Sequence, residues 1–130
     1  MQITEEHRQE IAAQFALWNE ALQTGDAKQV ARLYAEDATL LPTISKEVRQ
    51  TPRAIQDYFE HFLELRPRAT ILQQKIRLFG DIATNSGIYK FAVTQDNEDR
   101  VVIARFTFVY YRTGEGWKII EHHSSMLPEV

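Results

Sequence analysis

The chain contains no cysteine, which excludes disulfides, thiolate metal sites and thiol nucleophiles together. No stretch approaches the roughly 18 apolar residues of a membrane-spanning helix. The first ten residues, MQITEEHRQE, have neither the basic start nor the apolar run of a secretory signal. A basic surplus is missing too: 15 Lys and Arg face 18 Asp and Glu, for a net charge of −3. That balance gives no electrostatic reason to expect a nucleic-acid or membrane partner. With five Gly and four Pro, there is no linker, internal repeat or low-complexity segment. These absences make a cytoplasmic protein the default expectation.

What is present suits one ordinary domain, spanning residues 1–130. The length of 130 residues is too short for two cores, and 44% hydrophobic with 25% charged residues is a globular balance. Ile11, Phe15, Trp18 and Leu22 recur at helical spacing and form one stripe. Thr24-Gly25-Asp26 then supplies a stop and a restart, with Gly25 suited to a helix C-terminus and Asp26 to the next N-cap. Val30, Leu33 and Tyr34 give a short second helix its apolar side. Ala38 to Leu41, closed by Pro42, reads as a strand, and residues 43–50 as a loop with room for a small strand. Thr51-Pro52 starts a third helix with Ile55, Tyr58, Phe59 and Phe62 on its buried side, ended by Pro67.

After Pro67 the period changes to extended. Ala69–Phe79, Ile82–Gln95, Val101–Arg112 and Trp117–Met126 are four long strands separated by hairpin-type turns. Helices followed by an antiparallel meander make an α+β layout with the helices covering one sheet face. The strands do not alternate cleanly, however. Large apolar groups fall on both faces, which leaves an aromatic surface that a monomer rarely exposes. The expected interface residues are Phe106, Val109, Tyr111, Tyr89 and Phe91, and the expected partner is a second copy of the chain, in a homodimer or larger ring.

The order of elements, the Leu78-Phe79-Gly80-Asp81 turn and the ending Gly116-Trp117-Lys118-Ile119-Ile120-Glu121-His122-His123-Ser124-Ser125-Met126-Leu127-Pro128 resemble the association (hub) domain of calcium/calmodulin-dependent protein kinase II. They are still more similar to its stand-alone bacterial relatives, and Ala104 to Tyr110 fits the same SnoaL-like group. The resemblance runs from about Glu10 to Pro128. It implies the nuclear transport factor 2-like, cystatin-like α+β roll: a cone-shaped curved antiparallel sheet wrapped around three N-terminal helices, with a pocket at its open end. Residues 1–10 hold no glycine-rich or catalytic loop, so no kinase activity is expected.

A simple four-residue turn at Thr113–Gly116 sets Arg112 opposite Trp117, Arg105 opposite Ser124 and Thr107 opposite His122. Arg105, Thr107, His122 and Ser124 then share one face, and Glu121 and His123 the other with Phe106 and Phe108; a bulge would swap part of this. Arg105 interrupts an apolar strand, so it either binds an anionic ligand or pairs with Glu121 or a partner subunit. His122 and His123 point to opposite faces: one can serve a pocket as base or donor, the other a structural contact. Lys90 matches, through the resemblance, a basic hub-pocket position, or else packs its stem and sends its amine to water. Phe108 and Ser124 stand at other basic hub-pocket positions. The candidate ligand-binding set is therefore Arg105, His122, His123, Ser124, Glu121 and Lys90, for a small polar or acidic ligand. Trp18, Tyr58 and Tyr110 suit a pocket wall or the core. His7 and His61 form no metal-ligand spacing with the other histidines, so neither a metal nor a cofactor is expected.

The same fold hosts ketosteroid isomerase, whose chemistry needs a carboxylate inside the cone and a phenol or acid facing it. Ala38 to Leu41 contains no acid, and Glu121 is the one acid away from a strand end in the long strands. The leading expectation is a hub-like binding and oligomerisation module. The alternative is a small-molecule isomerase, cyclase or hydrolase using Glu121 with a histidine, or Arg105 as an enolate stabiliser.

Overall fold

The Thr4 side chain accepts a hydrogen bond from the His7 amide at 3.2 Å and caps helix α1, Glu5–Gln23. In this computed structural model, which describes residues 4–128, α1 buries Ile11, Phe15, Trp18, Ala21 and Leu22 as one stripe. Gly25, at φ +73°, takes the left-handed turn after the helix, where a side chain would be strained. Asp26 then caps α2, Ala27–Ala31, by accepting from the Lys28 amide at 3.0 Å.

Tyr34 does not continue this second helix. Strand β1 runs over Tyr34–Leu41, starting at Tyr34 rather than Ala38. The Ile119 amide donates to the Leu33 carbonyl at 2.9 Å, and Tyr34 pairs with Ile119. A tertiary ladder thus captures residues whose local pattern suits a helix. The loop after β1 carries one bridge, Leu40 to Arg49. Thr51 caps α3, Pro52–Phe62, whose buried side is Ile55, Tyr58, Phe59 and Phe62. The α-helix stops before Pro67, passing into a single 3₁₀ turn at Leu63–Leu65 and a left-handed Arg66 at φ +51°; the proline ring disfavours right-handed helix in the residue before it.

Strands β2 (Arg68–Phe79), β3 (Ile82–Gln95), β4 (Glu98–Thr113) and β5 (Gly116–Met126) follow as a meander. The sheet order is β1-β5-β4-β3-β2, with β1 added parallel to β5. Strand β4 begins at Glu98 because Asp96 and Asn97, at φ +54° and +64°, make a tight two-residue hairpin. Helix α1 is tied to the sheet at both ends. Asn19 exchanges two hydrogen bonds with the backbone of Ala69, at 3.0 and 2.8 Å, and Glu10 accepts from the Trp117 indole at 2.7 Å. Among the described residues, no helix is long and apolar enough to cross a membrane.

The core lies between the helices and one sheet face. Tyr89, Phe91, Phe106, Phe108 and Tyr110 all point into it and are buried. This corrects the expectation for three of the interface candidates: Tyr89, Phe91 and Phe106 are packed against α1 rather than presented to a partner. The outer face carries Val109, half-buried, and Tyr111, 45% exposed, together with exposed Phe79, Val101 and Ile103.

Candidate functional site

The β4–β5 hairpin decides which groups face the interior. Near the turn the register is the expected one, with Arg112 opposite Trp117 and Tyr110 opposite Ile119. A bulge at Ile120 then shifts it, so Val109 faces Glu121, Phe108 faces His122, Phe106 faces Ser124 and Arg105 faces Ser125. One extra residue in a period-two strand moves every later side chain to the opposite face. The expected grouping is corrected accordingly. His122 and Ser124 go inside with Phe106 and Phe108, while Arg105, Thr107, Glu121 and His123 go outside.

His122 is only 2% exposed. Its ring lies against Phe108, with centroids 4.0 Å apart and planes 17° apart, and meets the Trp18 ring edge-on at 5.4 Å. Both ring nitrogens are used: Nδ1 is 2.8 Å from the Tyr34 hydroxyl and Nε2 is 3.2 Å from the Tyr89 hydroxyl. The Trp18 indole donates to the Tyr34 hydroxyl at 3.2 Å. The Tyr89 hydroxyl donates to Ser124 Oγ, and Ser124 Oγ contacts Thr43 Oγ1 on the loop after β1. A continuous polar chain therefore runs from α1 through the sheet to the loop. Burial, and secondarily the neighbouring His123, hold the His122 pKa down to about 3 against an ordinary 6.5. The imidazole is neutral at physiological pH. Burial likewise raises the Tyr34 and Tyr89 hydroxyls above the ordinary phenol range.

A small cavity lies beside this chain, bounded by Trp18, Tyr58, Tyr89, His122, Ser124 and Thr43 and closed by apolar groups of α3. Its volume is about 10 Å³, space for about one water molecule. Tyr58, on α3, lies beside the backbone of Ile44, so the 43–50 loop runs past the cavity.

Of the six candidate ligand residues, the structure brings His122 and Ser124 together at this cavity. Arg105, Lys90, Glu121 and His123 lie exposed on the outer sheet face, so they make no part of an interior site. Arg105 forms no ion pair with Glu121 among the described residues; the two are on different cross-strand rows. The β1 acids Glu36 and Asp37 are exposed, so the strand that starts earlier than expected still brings no carboxylate inside. Sequence reasoning missed Tyr34 and Thr43. A buried phenol needs a hydrogen-bond partner, and that requirement was the available signal for Tyr34.

Compared with known families, residues 7–128 match the calcium/calmodulin dependent protein kinase II association domain. Among curated proteins, no sequence matches the chain. Among solved structures, it resembles a Xanthomonas campestris protein provisionally described as a calcium/calmodulin dependent protein kinase II association domain. The two are 45% identical over 98% of this chain and 91% of that one, with a TM-score of 0.92. An NTF2-like protein with a cystatin-like fold from Novosphingobium aromaticivorans is 17% identical, covering 96% of this chain and 84% of its own, with a TM-score of 0.80. A Streptomyces avermitilis protein of the NTF2-like family, provisionally described as a dehydratase, is 14% identical over 97% of this chain and all (100%) of that one, at a TM-score of 0.84. The last two likenesses bear on the fold alone.

Proposed function

We propose that this chain, which belongs to the calcium/calmodulin dependent protein kinase II association domain family, is a self-associating hub-like module with a small-ligand pocket in its cone and no kinase activity of its own. The uncovered outer sheet face carries this reading. Phe79, Ile82 and Tyr111 are successive cross-strand neighbours on that face. On β4, Val109 lies on the same face as Tyr111, and Val101 and Ile103 form a second apolar stretch beyond Arg105 and Thr107. Phe79 is 61% and Val101 62% exposed, and the helices occupy the other face. Exposed apolar side chains on a sheet face that no helix covers suit an association surface with a polar rim, and a second copy of the chain, in a dimer or larger ring, is the partner the family suggests.

Molar mass by light scattering at low micromolar concentration is the test. The native chain is expected at a multiple of its 15.1 kDa, and Val109→Asp with Tyr111→Asp at the monomer mass. A native monomer would refute the association reading.

A second reading, a small-molecule isomerase, cyclase or hydrolase of the SnoaL-like type, is favoured by one observation: a neutral imidazole flanked by two phenols inside the cone. On that reading His122→Ala abolishes turnover and leaves the mass unchanged.

A further inference from the structure

The order of donors around His122 limits what the cavity can hold. An indole N–H only donates, so Trp18 occupies a lone pair of the Tyr34 hydroxyl. Because the Tyr89 proton goes to Ser124 Oγ, Tyr89 accepts from His122 Nε2, which leaves Nδ1 to accept the Tyr34 proton. A neutral imidazole that accepts at Nδ1 carries its proton on Nε2, where it donates to the Tyr89 hydroxyl. Tyr89 in turn donates to Ser124 Oγ. The Ser124 proton is left for Thr43 Oγ1, its remaining partner among the described residues. Every proton points the same way, from the interior toward the 43–50 loop.

Thr43 is thus the terminal acceptor, and it sits on the loop after β1. The loop is held by the Thr43–Ser124 contact at one end and, at the other, by the Leu40–Arg49 bridge and the Arg49 guanidinium bonded to Ala54 and Asp57 of α3. Its apolar Ile44 and Val48 are each 52% exposed, so they add little packing. The cavity as it stands has room for about one water, so a larger ligand requires Thr43 to be displaced, which would free the Ser124 proton.

We propose that the cone takes a small, flat, uncharged carbonyl compound whose oxygen replaces the Thr43 hydroxyl as acceptor of the Ser124 proton. This rests on the reading of the cone as a ligand pocket and narrows it. The aromatic wall of Trp18, Tyr58, Phe62, Tyr89 and Phe91 suits a planar body. No lining group carries a charge at neutral pH, and the cations Arg105 and Lys90 are on the far side of the sheet. A carboxylate inside would be buried with no counter-charge. A plain hydrocarbon would leave the Ser124 proton without an acceptor.

Three probes of one shape separate these terms: acetophenone, benzoate and ethylbenzene, each titrated into the full chain near pH 7. The Trp18 indole N–H resonance reports binding, and the Trp117 indole, bonded to Glu10 at the far end of α1, serves as control. Acetophenone is expected to shift the Trp18 signal and to bind about tenfold tighter than either of the others, the worth of one buried hydrogen bond. Ser124→Ala should reduce its affinity to that of ethylbenzene. Thr43→Val, which removes the competing acceptor, should raise acetophenone affinity several-fold, and it decides the matter if the Ser124 variant does not fold. Benzoate binding as tightly as acetophenone, or affinities unmoved by the Thr43 and Ser124 changes, would overturn this inference alone. Failure of all three probes to move the Trp18 signal would overturn the pocket reading with it, while the molar mass of the same samples judges self-association separately.

Discussion

At the scale of single residues, buried His122 is the interior group whose protonation ties stability to pH. Its folded pKa of about 3 lies below the ordinary 6.5. Between those values the unfolded chain takes up a proton that the folded chain refuses, so the unfolded state gains as pH falls. The stability contributed by neutral His122 is therefore complete above about pH 6.5 and is lost progressively toward pH 3. Urea unfolding at pH 7 and pH 4.5 should show the native chain losing about 2–3 kcal/mol more than His122→Phe over that interval. Equal losses in the two proteins would mean that the imidazole is protonated in the folded state. The identity of the interior residues was only half legible beforehand. A histidine and a serine in an apolar strand are visible as anomalies. Their pairing with Tyr34 and Thr43 is not, because those partners arrive from β1 and its loop, far away in the chain.

At the scale of elements, the fold follows closely from local signals: the stripe of α1, the Thr51-Pro52 start of α3, and the turns at Gly80-Asp81 and within Asp96–Asp99, the latter tighter than the polar run suggests. The bulges do not. Register read outward from the Thr113–Gly116 turn holds as far as Ile119, where an extra residue in β5 inverts the rest. Nothing in the composition of Ile119-Ile120-Glu121 marks that position, since isoleucine suits either face. The other bulge, at Leu72 in β2, has a sequence mark in its partner strand. Gly87 lies so close to it that a Cβ would come within 1.9 Å of the Gln73 carbonyl oxygen. Backbone atoms cannot yield as a flexible side chain does, so Gly87→Ala must break the β2–β3 register locally. A loss of about 3 kcal/mol or more is expected by urea unfolding. Gly114→Ala, with open space around its Cβ, should change stability by less than about 0.5 kcal/mol. Similar effects at the two glycines would show that the close approach at Gly87 does not constrain the sheet.

At the scale of the whole molecule, the two sheet faces divide the work. The inner face takes the large aromatic rings and the neutral polar chain. Among the described residues, the outer face keeps the exposed cations Arg105 and Lys90 beside apolar residues that no helix covers. Under the proposed self-association, a second copy covers the exposed apolar groups of that face. That proposal makes stability depend on protein concentration, because a partner that binds the folded state alone shifts unfolding by mass action. Thermal unfolding of the native chain is expected to move to lower temperature by a few degrees with each tenfold dilution through the dissociation range. The Val109→Asp, Tyr111→Asp protein should melt at one temperature at every concentration, and its interior should be intact, because both residues lie on the outer face, away from His122. An acetophenone shift at Trp18 that survives in this variant would place the pocket wholly within one copy. Its loss on dissociation would mean instead that association holds the 43–50 loop in the receptive position.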